Sequence, residues 1–332
     1  MAKSNDQLVH NLLLDAERRG KLLDPPAGGL RKALYRRIDR TVVSPMPGMF
    51  ARKSTWDRLN PAERHLAVVR TLSDIHPTWI FCSYSAACLY GLKVSWKHLN
   101  RIHVCGSSRP SSKPRRYIER HYLREPEIAR IGSVRATSPV QTVCTCLYAL
   151  GFRDGLSIAD SALSRLSLNK DETLQAIDSM SRGRPAARHF TARQTMLYAD
   201  ERAESGGESF ARATMIAAGF APDHLQYTLS DPLDPAHTMR NDFAWDRMAH
   251  SLTLGELDGY VKYTDPNILK GKTATDVLVK ERQRESHISL YGHPLVRFTM
   301  RDVWNPSRLA QMLDIAGIRQ TPIPEWMERI AF

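Results

Sequence analysis

The fold depends most on two apolar stretches that contain or end in acidic residues, RNDFAW at residues 240–245 and LTLGELDG at residues 252–259. Each stretch is short and apolar, which predicts a β-strand. Residues two apart in a strand share a face, so Leu252, Leu254, Glu256 and Asp258 are expected to point the same way. Two carboxylates at the end of one apolar face repel each other unless a positive group lies between them.

A hard divalent cation with oxygen ligands would supply that positive charge. Asp242, from the neighbouring strand, would complete a metal site with Glu256, and Glu208 at the start of the preceding helix would support it. Lys262 lies just beyond the second strand, where its ammonium group would orient a water molecule or stabilise a phosphorane. A metal held in this way would polarise a phosphodiester and help to generate hydroxide.

Two of these carboxylates have a structural explanation as well. Ser205 and Glu208 have the S-x-x-E spacing of a capping box, and Asp258-Gly259 is a common turn pair. Asp242 and Glu256 are harder to explain in this way, because each follows or interrupts an apolar strand. Spacing alone therefore leaves the metal site and the structural interpretation both open.

The surrounding pattern predicts the element order α-β-β-β-α-β, followed by a helix. The predicted elements are a helix at Ser209–Ala218, strands at Leu225–Leu229, Arg240–Trp245 and Leu252–Gly259, a helix at Thr275–Tyr291, a strand at Leu295–Thr299 and a helix at Pro306–Ile315.

Residues 200–318 resemble the restriction-endonuclease-like PD-(D/E)XK superfamily, and most of all the small domains related to very-short-patch repair endonucleases. The matching stretches are Glu208-Ser209, Asn241–Trp245, Gly255–Gly259, Val296–Phe298 and Asp302–Trp304. The resemblance implies that Asp242 and Glu256 are the acidic pair that binds Mg²⁺ or Mn²⁺, with Glu208 as the helix glutamate. Asp258 stands where the motif has lysine. Lys262 is then the candidate substitute, and a nucleic-acid-binding relative that does not cleave also fits.

The N-terminal segment has the outline of a winged helix-turn-helix. Its pattern predicts a helix from Gln7 to Gly20, a second helix from Leu30 to Ile38, and a hairpin around the Pro45–Gly48 turn. In such modules the second helix enters the major groove of DNA. The candidate DNA contacts on this helix are Arg31, Lys32, Arg36 and Arg37, and the alternative is an ordinary solvated helix face.

The positive charge of the chain is concentrated in its first half. The 332 residues carry a net charge of +12, but residues 1–150 hold 25 Lys and Arg against 11 Asp and Glu, while residues 151–332 hold 22 against 24. A concentrated basic field attracts phosphate backbones and adds a salt-dependent term to binding. The distribution favours nucleic acid as a partner over a merely basic surface.

Residues 1–170 also resemble the AbiEi-type antitoxins and transcriptional regulators of abortive-infection systems. The matching stretches are Gly48–Phe50, Ser83–Ala87, Gly91-Leu92 and Thr137–Thr142. The resemblance implies DNA binding, operator recognition, autoregulation and a cognate toxin as partner.

Several other classes of protein are disfavoured. No stretch approaches 18 consecutive apolar residues, so we expect no membrane partner, and the N-terminus lacks the pattern of a secretory signal. The five cysteines are odd in number and lack C-x-x-C spacing, which favours a reduced, cytoplasmic protein. The twelve histidines are scattered, and we interpret His98 and His103, like the others, as structural or surface residues.

The sequence therefore predicts a multidomain α+β protein. Its parts are a winged helix-turn-helix at 1–55, a mixed middle domain at 56–190 and a restriction-endonuclease-like αβββαβ core at 191–332. The first hypothesis is a DNA-binding protein with a Mg²⁺-dependent endonuclease-like domain in bacterial defence. The second is an antitoxin-like regulator that does not cleave, and the third is an interaction scaffold. The oligomeric state and the choice between DNA and RNA stay open.

Overall fold

The structure is a computed structural model that describes residues 2–106, 116–247, 251–258 and 274–329. It contains helices and strands, largely in runs of one kind, so the predicted mixed α+β class is confirmed. The chain divides into two compact units. Unit 1 consists of Met1–Ala149 and Asp171–Met180, and unit 2 of Leu150–Lys170 and Ser181–Phe332. The division into three domains at 1–55, 56–190 and 191–332 stays a prediction.

Unit 1 opens with two helices and a hairpin, namely α1 (Ala2–Arg18), α2 (Gly29–Tyr35), β1 (Val42–Met46) and β2 (Met49–Arg52). The two strands are antiparallel, and Gly48 takes a φ of 82° in the turn between them, a conformation that costs glycine little. Leu34 of α2 and Phe50 of β2 are fully buried in the same apolar cluster, which also holds residues of α1. Helix α2 ends at Tyr35, three residues before the predicted end.

The rest of unit 1 packs helices around two pairs of short strands. Its elements are α3 (Lys53–Arg58), α4 (Pro61–Ile75), α5 (Ser83–Leu89), a 3-10 turn (Trp96–His98), β3 (Ile102–Gly106), β4 (Ile118–Tyr122), β5 (Ile128–Ile131), β6 (Val134–Thr137), α6 (Pro139–Ala149) and α8 (Lys170–Ser179). Strands β3 and β4 are parallel, and β5 and β6 are antiparallel. Phe81, which is fully buried, forms β-bridges to Val104 and Ala136 and so joins the two pairs.

Unit 2 contains a four-stranded sheet with helices on both faces. Its elements are α7 (Phe152–Leu166), α9 (Ala186–Leu197), α10 (Gly206–Ala217), β7 (His224–Ser230), β8 (Thr238–Asp246), β9 (Leu252–Asp258), α11 (Ala274–Ser289), β10 (Leu295–Thr299), α12 (Met300–Val303), α13 (Pro306–Ile315) and a 3-10 turn (Glu325–Arg329). The strand order is β10-β9-β8-β7, with β10 parallel to β9 and the other pairs antiparallel.

The two faces of this sheet bury different clusters. Phe243 and Trp245 of β8 pack with Phe298 of β10 against residues of α10 and α13. Ala244, which lies between them on β8, and its β9 partner Leu254 pack against Ile288 of α11 on the other face. The elements from α10 to β10 follow the predicted order α-β-β-β-α-β.

Candidate functional site

Glu256 and Asp258 lie at the end of β9 on the face that α11 covers. They follow Leu254 at two-residue spacing along β9, so they share its face, and Leu254 packs against Ile288 of α11. Glu256 is buried and Asp258 is half-buried, so both carboxylates need compensating partners.

The compensating positive groups are two arginines. Arg284 of α11 forms an ion pair with Glu256 Oε1. Arg297 of β10 holds Asp258 in a two-pronged contact, with Nε–Oδ2 at 3.0 Å and Nη2–Oδ1 at 2.6 Å, and its Nη2 lies 3.8 Å from Glu256 Oε2. These hydrogen bonds, above all the one to Asp258, raise the pKa of the Arg297 guanidinium above its ordinary value. The positive charge that the sequence pattern demanded is thus provided by side chains of the protein.

We call Glu256, Asp258, Arg284, Glu285 and Arg297 the β9 charge cluster. Arg297 Nη1 also binds Glu285 Oε1 at 3.0 Å, so this one guanidinium bridges β9 and α11. Arg284 Nη2 also donates to Asn241 Oδ1 at 3.1 Å, which ties β8 to the same cluster. Neither Arg284 nor Arg297 is among the site residues predicted from the sequence. The signal that could have found Arg297 is its polar position inside the apolar strand LVRFT, two residues from the strand start.

Asp242 reaches β9 from the neighbouring strand. The backbone pairing of β8 with β9 ends at Phe243 and Gly255, and one further step would set Asp242 opposite Glu256. At that step the backbone N–H of Leu257 donates to Asp242 Oδ2 at 2.9 Å. A side-chain carboxylate thus takes the place of a main-chain carbonyl as the acceptor. The structure therefore brings Asp242, Glu256 and Asp258 to the same end of the strand pair.

Glu208 is placed differently. It lies at the N-terminus of α10, which packs on the opposite face of the sheet, where a Cβ on Gly207 would lie 3.0 Å from Leu257. Its Oε2 accepts the backbone N–H of Glu204 at 3.0 Å and the amide of Gln226 at 2.8 Å, and Ser205 Oγ accepts the Glu208 N–H. Ser205 thus caps α10 as the S-x-x-E spacing predicts, while the Glu208 carboxylate binds the N–H of Glu204, one residue before the N-cap. Lys262 lies outside the described residues.

The four basic candidates of α2 and its C-terminal turn separate into two pairs. Arg31 forms an ion pair with Asp24 at 3.1 Å and its Nε donates to a backbone carbonyl. Arg37 forms an ion pair with Asp6 and donates to the Ala33 carbonyl at 2.6 Å.

Lys32 and Arg36, by contrast, are exposed. Neither forms an ion pair with any residue that the structure describes. The two positions are four apart, so their side chains project from neighbouring positions on one side of the segment.

Among the described residues, no helix has the length and apolar character needed to cross a membrane. No protein-family model matches the chain, and no solved structure matches it. The chain is 29% identical over 169 residues to the uncharacterized proteins MT2308 and Rv2248 from two strains of Mycobacterium tuberculosis. The match covers 51% of this chain and 59% of each relative, so it spans a little over half the length of the curated relatives.

Proposed function

We propose that this chain is a nucleic-acid-binding regulator that contacts DNA through the exposed basic side of α2 and does not cleave it. The observation that carries the proposal is the contrast within four neighbouring basic residues. Arg31 and Arg37 are used in contacts within the protein, whereas Lys32 and Arg36 face solvent without an ion-pair partner among the described residues.

Two cations side by side on a helix destabilise it. Lys32 and Arg36 repel each other at this spacing, and phosphate groups would relieve that repulsion. Tyr35, which is 46% exposed, lies next to Arg36 and adds a hydrogen-bonding hydroxyl. The hairpin β1–β2 directly follows the helix in the chain, as the wing does in a winged helix. The basic charge of residues 1–150 strengthens the same attraction.

The test is duplex-DNA binding by fluorescence anisotropy over a range of salt concentrations. The variant Lys32→Ala/Arg36→Ala removes two phosphate contacts, and each contact releases about 0.9 counterion. The salt slope should therefore become shallower by about 2, and affinity in 0.1 M salt should fall on the order of 60-fold.

The matched control is Arg124→Ala/Arg130→Ala, which removes the same charge from exposed positions elsewhere in unit 1. It should bind nearly as the wild type does. An unchanged salt slope in Lys32→Ala/Arg36→Ala, or an equal loss in the control, would contradict the assignment to α2. Absence of any DNA binding by the wild type would favour the scaffold hypothesis.

The proposal that unit 2 does not cleave rests on the β9 charge cluster. A metal ion at Glu256 and Asp258 would compete with guanidinium groups that already neutralise both carboxylates. Glu256 is buried, so displacing its guanidinium partners would be costly. Unit 2 would then bind DNA, RNA or a protein partner such as a cognate toxin.

A second candidate function is Mg²⁺-dependent hydrolysis of phosphodiesters. It is supported by Asp242, whose contact with the Leu257 N–H brings a third carboxylate to the strand end that holds Glu256. Incubation of supercoiled plasmid with Mg²⁺ and Mn²⁺ distinguishes the two candidates. Nicking by the wild type that Asp242→Ala and Glu256→Ala both abolish would establish cleavage, and intact plasmid would support the regulator.

A further inference from the structure

The parallel strands β3 and β4 bring two histidines and a glutamate together in unit 1. His103 of β3 is in register with Glu119 of β4, and His121 lies two residues further along β4, on the same side as Glu119. One potential ligand atom from each side chain lies within 4.8 Å of the other two. His103 Nδ1 and His121 Nε2 lie 2.8 Å apart.

The backbone behind His103 is fixed by buried hydrogen bonds. Ser85 Oγ accepts the backbone N–H of His103 at 2.8 Å and is bonded to His65 Nε2, also at 2.8 Å. His65 Nδ1 in turn lies 3.2 Å from the carbonyl of Leu99. A ligand set needs this kind of support, because affinity depends on side chains that are held in place before the ion arrives.

We propose that His103, Glu119 and His121 bind a late first-row divalent cation such as Zn²⁺. Two imidazoles and one carboxylate are a recurrent donor set for such ions, and three protein ligands leave one position open to water or a further ligand. Hard cations such as Mg²⁺, which prefer oxygen donors, fit this set poorly.

The spacing of the two imidazole nitrogens is close to the one that a metal requires. Zn–N bonds of about 2.05 Å at a tetrahedral angle separate two nitrogens by roughly 3.3 Å. The two imidazole nitrogens therefore need to part by about half an ångström, which a small change of side-chain torsion provides. In the absence of the ion, a hydrogen bond between the rings occupies the same space.

The groups that would compete with the ion are weak. Arg101 lies 3.3 Å from Glu119 Oε2, but both side chains are 38% exposed, and ion pairs this open contribute little. His103 is buried, while Glu119 and His121 are partly exposed, so an ion would enter from their side.

The sequence alone predicts structural or surface roles for the histidines. The signal that could have found this cluster is alternation, with a histidine inside the strand IHVCG and a glutamate and histidine two residues apart in IERHY. Only the parallel register of β3 and β4 turns those two patterns into one cluster.

The test uses the full-length chain, freed of metal and titrated with Zn²⁺ against a chromophoric chelator. We expect one Zn²⁺ per chain, and Co²⁺ in its place should give the visible absorption of a four-coordinate site. His121→Ala and Glu119→Gln should each weaken binding by more than the ~10–100-fold typical for loss of a supporting residue. Both sites are partly exposed, so we expect these variants to fold, and circular dichroism checks this.

The matched control is His237→Ala in unit 2, which removes an exposed histidine from its carboxylate partner Asp234. This variant should bind Zn²⁺ as tightly as the wild type. No saturable uptake by the wild-type chain, or uptake that both His121→Ala and Glu119→Gln leave unchanged, would overturn the proposal. The readout involves no DNA, so its failure leaves the proposed regulator function untouched.

Discussion

The buried ion pair of Asp160 on α7 and Arg212 on α10 should control the stability of unit 2. Arg212 Nη2 lies 2.7 Å and 2.9 Å from the two carboxylate oxygens of Asp160. The Arg212 side chain is 8% exposed and the Asp160 side chain is 1% exposed. Asp160 Oδ1 also accepts the backbone N–H of Asp200, and Arg212 Nη1 donates to the Tyr198 carbonyl. The pair thus joins two helices and the segment that leads from α9 to α10.

The two single substitutions should differ because only one partner can lose its charge. Asp160→Asn leaves a guanidinium buried without a counter-ion, and Arg212 cannot deprotonate, so we expect a loss of about 3–5 kcal/mol near pH 7. Burial raises the pKa of Asp160 even beside Arg212. In Arg212→Met the pKa rises further, so the carboxyl can protonate as the pH falls. The cost of Arg212→Met should therefore be large near pH 7 and shrink towards acid.

The assay is the urea dependence of hydrogen exchange in peptides from α7 and α10, measured near pH 7 and near pH 5. The matched control is Arg202→Met, because Arg202 binds Asp200 at the same 2.7 Å but is 55% exposed. That pair should contribute only about 0–1 kcal/mol. An Asp160→Asn cost below about 1 kcal/mol, or an Arg212→Met cost that does not change with pH, would refute the reasoning.

Three further predictions follow from other contacts. Arg284→Ala/Arg297→Ala exposes the carboxylates at the end of β9, so isothermal titration should detect a bound Mg²⁺ or Ca²⁺ that the wild type lacks. Equal cation binding by the variant and the wild type would contradict the idea that the two arginines keep a metal ion out. Gly255→Ala places a Cβ 2.7 Å from a buried tryptophan ring and should cost about 1–3 kcal/mol in urea unfolding, whereas Gly29→Ala meets nothing within 4 Å and should be neutral or stabilising. A backbone N–H and a hydroxyl of the N-cap threonine hold the pKa of Asp302 below its ordinary 3.8, so its contribution is complete above that pH and disappears as the pH falls through the lower folded value. Asp302→Asn should flatten that part of the acid-unfolding curve, and an unchanged curve would count against it.

The elements of unit 2 could be predicted closely from the sequence. The strand expected at Arg240–Trp245 extends over Thr238–Asp246, and the strand expected at Leu252–Gly259 is observed over Leu252–Asp258. The prediction succeeds because alternating and continuous apolar runs are local signals that need no partner. Element boundaries show the limit, because the helix expected at Ser209–Ala218 already begins at Gly206.

The candidate site was less predictable, because it depends on residues far apart in the chain. The pattern at Glu256 and Asp258 predicts that a positive group must lie between them, but it leaves the nature of that group open. A metal ion and an arginine satisfy the same electrostatic need. Arg284 and Arg297 come from a helix and a strand that follow in the chain, and only their packing against β9 places them there.

The sequence by itself determined the local elements, their order, the basic first half and the electrostatic demand at the end of β9, because periodicity and charge are read residue by residue. The tertiary structure alone decided which charges meet. It gave Arg31 and Arg37 to partners within the protein and left Lys32 and Arg36 exposed. It also brought His103 next to His121, because strand register and helix packing bring together residues whose separation along the chain carries no signal.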